Sequence, residues 1–87
     1  MYIIMVYDAK PKRGVKLLKF LRQHITWVQN SVFEGEITES SFEKIKTRIK
    51  EIINKEEDSV IYYTFDSGNY KARGVLGVEK NDLDTFI

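Results

Sequence analysis

Met1-Tyr2-Ile3-Ile4-Met5-Val6-Tyr7-Asp8 is a run of seven apolar or aromatic residues that ends on a carboxylate. The run has no polar face, which marks a strand covered on both sides rather than the half-wet edge of a meander. Alternation sets Tyr2, Ile4, Val6 and Asp8 on one face and Ile3, Met5 and Tyr7 on the other, so Asp8 lies just past the end of an apolar stripe. A carboxylate there is either a cap or a site, and the residues alone favour the Asx turn or helix cap.

Outward from that strand, Ala9-Lys10-Pro11 stops the extended chain and suits the first turn of a helix. Val15, Leu18, Leu21 or Arg22 and Ile25, with Leu17 alongside and Phe20 widening the band, form an apolar stripe at helical spacing. Lys12, Lys16, Lys19 and Gln23 fall on the opposite side, flanked by Arg13 and Arg22. Residues 26–29 and 31–37 read as two short strands, or one strand kinked at Asn30, because β-branched and aromatic residues dominate. Trp27 is expected in the core or an interface, His24 at a helix C-terminus, and Gly35 at a bulge or close approach.

Thr38 or Ser40 opens a second helix, with Ser40 and Glu43 at capping-box spacing and Phe42, Ile45, Ile49, Ile52 and Ile53 as its apolar stripe. Its other face mixes charges of both signs, as a solvated face does. An acidic turn at residues 54–58 leads into a second strand that is apolar on both faces, residues 59–65. The cluster Asp66-Ser67-Gly68-Asn69 is a turn, Tyr70-Lys71-Ala72-Arg73 follows, and Val75-Leu76-Gly77-Val78 reads as a final short strand before an apolar tail.

Strand, helix, two strands, helix, strand is the split βαβ repeat of a ferredoxin-like α+β sandwich, βαββαβ, with an extra C-terminal strand. Both helices pack on one sheet face, so the other face of the two-sided strands needs a cover, most economically a two-fold related copy. The expectation is a homodimer of a single domain, residues 1–87, in which residues 75–87 pack on the partner subunit.

At 87 residues the chain makes one domain with a limited core, and its 43% hydrophobic content places it among folded proteins. With no cysteine and one histidine, a disulfide scaffold, a thiolate zinc site, a cysteine nucleophile and a histidine-rich metal cage are all excluded. The longest apolar run is too short to span a bilayer and no leader precedes it, so a cytoplasmic protein without a membrane partner is expected. The net charge of +1 hides an uneven distribution: residues 1–30 carry six basic groups and one acidic, and residues 31–58 five and eight. Residues 9–33 contain no Asp or Glu, which turns the first helix from an ordinary solvated face into a candidate phosphate-binding surface built from Lys10, Lys12, Arg13, Lys16 and Lys19.

Val6-Tyr7-Asp8 closing the first strand, Gln29-Asn30-Ser31-Val32-Phe33-Glu34-Gly35-Glu36, Asp58-Ser59-Val60 and the tail from Gly77-Val78-Glu79 to Phe86-Ile87 together resemble the CRISPR-associated protein 2 family over nearly the whole chain. The resemblance implies a homodimer that shares a C-terminal strand and acts beside the CRISPR integrase as a scaffold on duplex DNA during spacer acquisition in a prokaryotic cell. It also implies a metal-dependent endonuclease acting on RNA or DNA, with Asp8 as catalytic residue and Mg2+ ligand, and Ser31 and Phe33 in the family's middle motif. One carboxylate is a poor magnesium site, whereas two Asp8 side chains meeting across a dimer axis suffice. A stand-alone ribonuclease toxin or RNA-binding module on the same fold is the alternative; it predicts cleavage of free RNA and no integrase complex.

Overall fold

β1 (Tyr2–Asp8) runs through the middle of a five-stranded sheet of order β2-β3-β1-β4-β5 in which every neighbouring pair is antiparallel. The other elements are α1 (Pro11–Leu21), β2 (Thr26–Gln29), β3 (Val32–Glu36), α2 (Glu39–Ile52), β4 (Ser59–Asp66) and β5 (Asn69–Gly77). The structure is a computed structural model and describes residues 1–79. The element order and the strand order are those of a ferredoxin-like sandwich carrying one added strand.

Alternation along β1 divides the molecule. Ile3 and Met5 are fully buried and join Leu17, Leu21, Phe33, Phe42, Ile45, Ile49, Val60 and Leu76 in one core beneath both helices. Tyr2, Ile4 and Val6 point to the other side and stay half-buried, next to Phe65, Tyr63 and Ile61 of β4 in cross-strand register. One of the two expected covers is therefore supplied within the chain.

α1 buries Gly14, Leu17 and Leu21, with Ile25 just beyond it. This face is rotated from the expected one, and Val15 stands 51% exposed. The buried edge lies against the end of β1, where Tyr7 Oη donates to the Gly14 carbonyl at 3.1 Å. A hydrogen bond from a strand tyrosine to the helix backbone is a contact that a count of apolar side chains overlooks.

α2 starts at Thr38, whose Oγ1 accepts from the Ser41 amide at 3.1 Å, so the cap is Thr38 and not Ser40. β2 and β3 form a hairpin turned at Asn30, which takes φ 44°. Trp27 is not a core residue: it is 44% exposed, its Nε1 donates to the Asn30 carbonyl at 2.9 Å, and the Arg22 guanidinium lies over its ring.

The end of the described chain differs most from the sequence expectation. Residues 69–77 form one continuous strand, joined to β4 by a turn in which Ser67 and Gly68 take φ 52° and 82°. Val75, Leu76 and Gly77 pair with Ile61, Val60 and Ser59 of the same chain, and β5 is the edge strand of the sheet, with its outer edge facing away from β4. Gly74 lies inside this strand and makes room for a ring: a Cβ at Gly74 would fall 2.1 Å from Tyr62 Cζ, its cross-strand partner. Residues 80–87, which carry the rest of the expected tail contact, lie outside the described residues.

Candidate nucleic-acid interface and metal site

Asp8 is the last residue of β1, exposed, on the sheet face away from the helices and opposite Ser59 of β4. Its neighbour Tyr7 is held on three counts. The Tyr7 amide donates to the Ser31 carbonyl at 3.1 Å, its hydroxyl reaches Gly14, and its ring stacks on Phe33 with centroids 6.2 Å apart. Ser31 thus contributes its main-chain oxygen at the β2–β3 turn, and Phe33 is core beneath Tyr7. Both motif residues bear on the strand end that carries Asp8.

The chain after Asp8 is tied to a group that sequence reasoning missed. Asp58, which immediately precedes β4, is 0% exposed and its carboxylate accepts from the Lys10 amide at 3.1 Å and the Asn54 amide at 2.8 Å. Arg13 completes the set through a short Nε contact to Asp58 and a bond from its terminal nitrogen to Glu57 at 2.8 Å. Burial by itself pushes the Asp58 carboxyl up, but the Arg13 guanidinium and the two amides outweigh it and hold the group at about 2. Arg13 is correspondingly raised, chiefly by its bond to Asp58. The signal in the sequence was the contrast between an acid-free segment and the acidic turn Glu56-Glu57-Asp58; it pointed to complementary charge but not to which residues meet.

Arg13 is accordingly corrected as a phosphate contact, because its charge is committed to two carboxylates. Lys12, Lys16 and Lys19 are exposed at i, i+4 and i+7, one stripe along α1 opposite its buried face, and Lys10 is exposed at the helix N-cap. No acidic residue stands in the first turn.

The sequence model of the family described as CRISPR associated protein Cas2 matches residues 1–73. The chain belongs to the Cas2 family. It is 53% identical over 87 residues to the CRISPR-associated endoribonuclease Cas2 of Dictyoglomus turgidum, covering all of both chains. A crystal structure of a Cas2 protein superposes with a TM-score of 0.74 at 38% identity, covering 94% of this chain and 92% of that one. The Streptococcus pyogenes Cas2 crystal structure at pH 6.5 gives 0.70 at 32% identity, covering 76% and 87%.

For a Cas2-family chain the donor set for a divalent metal is sparse. Among the described residues no three carboxylate, histidine or cysteine side chains gather into a metal-binding group. Asp8 offers hard oxygen donors of the type magnesium takes, with waters making up the rest, and a second Asp8 brought in by a second copy fits the usual one or two carboxylates. Among the described residues no helix is long and apolar enough to cross a membrane.

Proposed function

We propose that this Cas2-family protein works as a two-fold homodimer that binds nucleic-acid backbone through α1 of each copy and serves, with a CRISPR integrase, as a scaffold on duplex DNA. The observation that carries this reading is the exposed Lys12-Lys16-Lys19 stripe, free of acidic neighbours in its own segment, on a helix that emerges directly from the Asp8 strand end. Two copies joined by their open sheet faces double that stripe on one rigid body. Lysine contacts to phosphate position a protein without reading bases, as a scaffold for arbitrary sequence requires. The apolar stripe Tyr2, Ile4 and Val6 supplies a reason for the second copy, since burying it removes the largest apolar strip that the helices leave open.

The same dimer carries a magnesium-dependent phosphodiesterase centred on the two Asp8 side chains. Bound magnesium supplies polarisation of the phosphate and a water acidified toward hydroxide. The chain's own part is to hold the ion through Asp8, to keep that carboxylate on a strand end fixed by Tyr7, and to present the phosphate backbone along α1. Relatives are named endoribonucleases, which favours RNA as the substrate of this activity and keeps the stand-alone ribonuclease as the second reading. Labelled duplex DNA and single-stranded RNA, each incubated with wild type and integrase, separate the two. A stable ternary complex on duplex supports the scaffold, while RNA cleavage with no integrase complex supports the ribonuclease.

A further inference from the structure

α1 lacks the features that normally close the start of a helix. Its N-cap residue, Lys10, makes no side-chain cap, and its first turn contains no acid. The missing carboxylate comes from 48 residues away: Asp58 accepts the Lys10 amide and grips Arg13 one turn later. Asp58 is in turn immobilised through its main chain. Its amide donates to the Asn54 carbonyl at 2.8 Å, and its carbonyl accepts from the Val78 amide at 2.8 Å. Gly77 permits that last approach, since a Cβ there would stand 2.2 Å from the Asp58 oxygen.

Asp8 sits between two points of this frame. Its own backbone is registered against Ser59, the residue after Asp58, and two residues later Lys10 is pinned to the Asp58 carboxylate. Only Ala9 separates the pinned residue from Asp8. The contact to Arg13 also ties the first turn of α1, which carries Lys12, to the same frame.

We propose that Asp58 is a positioning residue for Asp8: its buried carboxylate, reaching Lys10 and Arg13, fixes the direction from which Asp8 meets a divalent metal and the phosphate laid along α1. The inference rests on the metal-dependent phosphodiesterase reading above. A purely structural Asp58 predicts something different, namely loss of stability with unchanged metal binding in the molecules that stay folded. Misplacing a reacting group by about an ångström, or loosening the partners that orient a ligand, costs on the order of 10- to 100-fold in rate or metal affinity.

The test uses Asp58→Asn in the full chain, at a temperature where circular dichroism shows it folded. Mn2+ affinity is measured by titration calorimetry without nucleic acid, cleavage is followed against metal concentration, and exchange of the Ala9 and Lys10 amides is read by NMR. The expected result is a 10- to 100-fold loss in Mn2+ affinity and in cleavage at fixed metal, with faster exchange at Lys10. Wild-type Mn2+ affinity and wild-type cleavage in folded Asp58→Asn overturn the proposal. If that variant does not fold, Lys10→Pro is compared with Lys10→Ala. Lys10 has φ −59°, which proline adopts, so the pair isolates the lost amide donor from the lost charge. Metal affinity at least fivefold weaker in the proline variant supports the positioning role, and equal affinities overturn it. Cleavage by wild type that survives Asp8→Asn removes the phosphodiesterase reading itself, whereas Mn2+ binding that depends on Asp8 but ignores Asp58 removes only the positioning role.

Discussion

Two aspartates about one strand-to-helix junction have opposite environments. Asp8 is exposed, while Asp58 is enclosed and already satisfied by an arginine and two amides. The proposed chemistry is placed on the first, which a metal or phosphate can reach. Asp8→Asn keeps shape and hydrogen bonding but removes the charge that holds an ion, so metal-dependent cleavage is expected to disappear while sedimentation still reports the wild-type assembly. Asp58 instead makes the fold sensitive to acid. Its folded-state pKa of about 2 lies below the ordinary aspartate value of 3.8, so the stabilisation is fully present above about pH 4 and is lost as pH falls from about 4 towards 2. Discounted for the partly exposed Arg13, the loss is on the order of 1–2 kcal/mol, and urea melts of wild type and Asp58→Asn should converge at the acid end of that window.

At the scale of elements, two glycines that share a left-handed backbone have different reasons for being glycine. Gly68 takes φ 82° in the β4–β5 turn with open space around it, and Gly77 takes φ 88° at the end of β5 against the Asp58 carbonyl. Gly68→Ala meets only the backbone preference and should cost about 1 kcal/mol. Gly77→Ala adds a clash with main chain, which has no rotamer to yield, and should cost roughly 3 kcal/mol by chemical denaturation. Equal losses at the two positions would show that the β5 end is not clamped to Asp58. Gly74 lies inside a strand for a related reason: whether a glycine ends a strand or houses a neighbour's ring depends on what lies across from it, and the hairpin brings Tyr62, twelve positions earlier, directly opposite.

For the molecule as a whole, the apolar strip Tyr2, Ile4 and Val6 and the lysine stripe of α1 carry separate predictions. Ile4→Glu places a charge on the half-buried open face without touching the helix-side core, so the proposed dimer predicts a folded monomer by sedimentation for this variant and a dimer for wild type at micromolar concentration. For the nucleic-acid surface, Lys12→Glu with Lys16→Glu should weaken duplex binding, each lost phosphate contact lowering the slope of log affinity against log salt by roughly one. The matching control is Lys44→Glu with Lys50→Glu on α2, both exposed. Lys46 is unsuitable because it pairs with Glu43 at 2.7 Å and covers the Phe42 and Tyr62 rings. A control that weakens binding as much as the test pair would reduce the effect to overall charge.

Local pattern was enough for a good deal of this. Seven unbroken apolar residues, Pro11, and the 3.6-residue spacing of Phe42, Ile45 and Ile49 determine a strand, a helix start and a buried helix face, because each depends on residues within a turn or two of one another. The order of those elements then leaves few antiparallel arrangements, which is why the sandwich was legible and Asp8 could be placed at a strand end. What only the tertiary structure decided involves partners distant along the chain. The pairing of residues 75–77 with β4 and the state of Arg13 beside a carboxylate 45 residues away both depend on such partners. A one-dimensional reading weighs a side chain by its type, but whether a charge faces solvent or a buried counter-charge, and whether a missing Cβ is a break or a space, is settled by the atoms that folding brings opposite it.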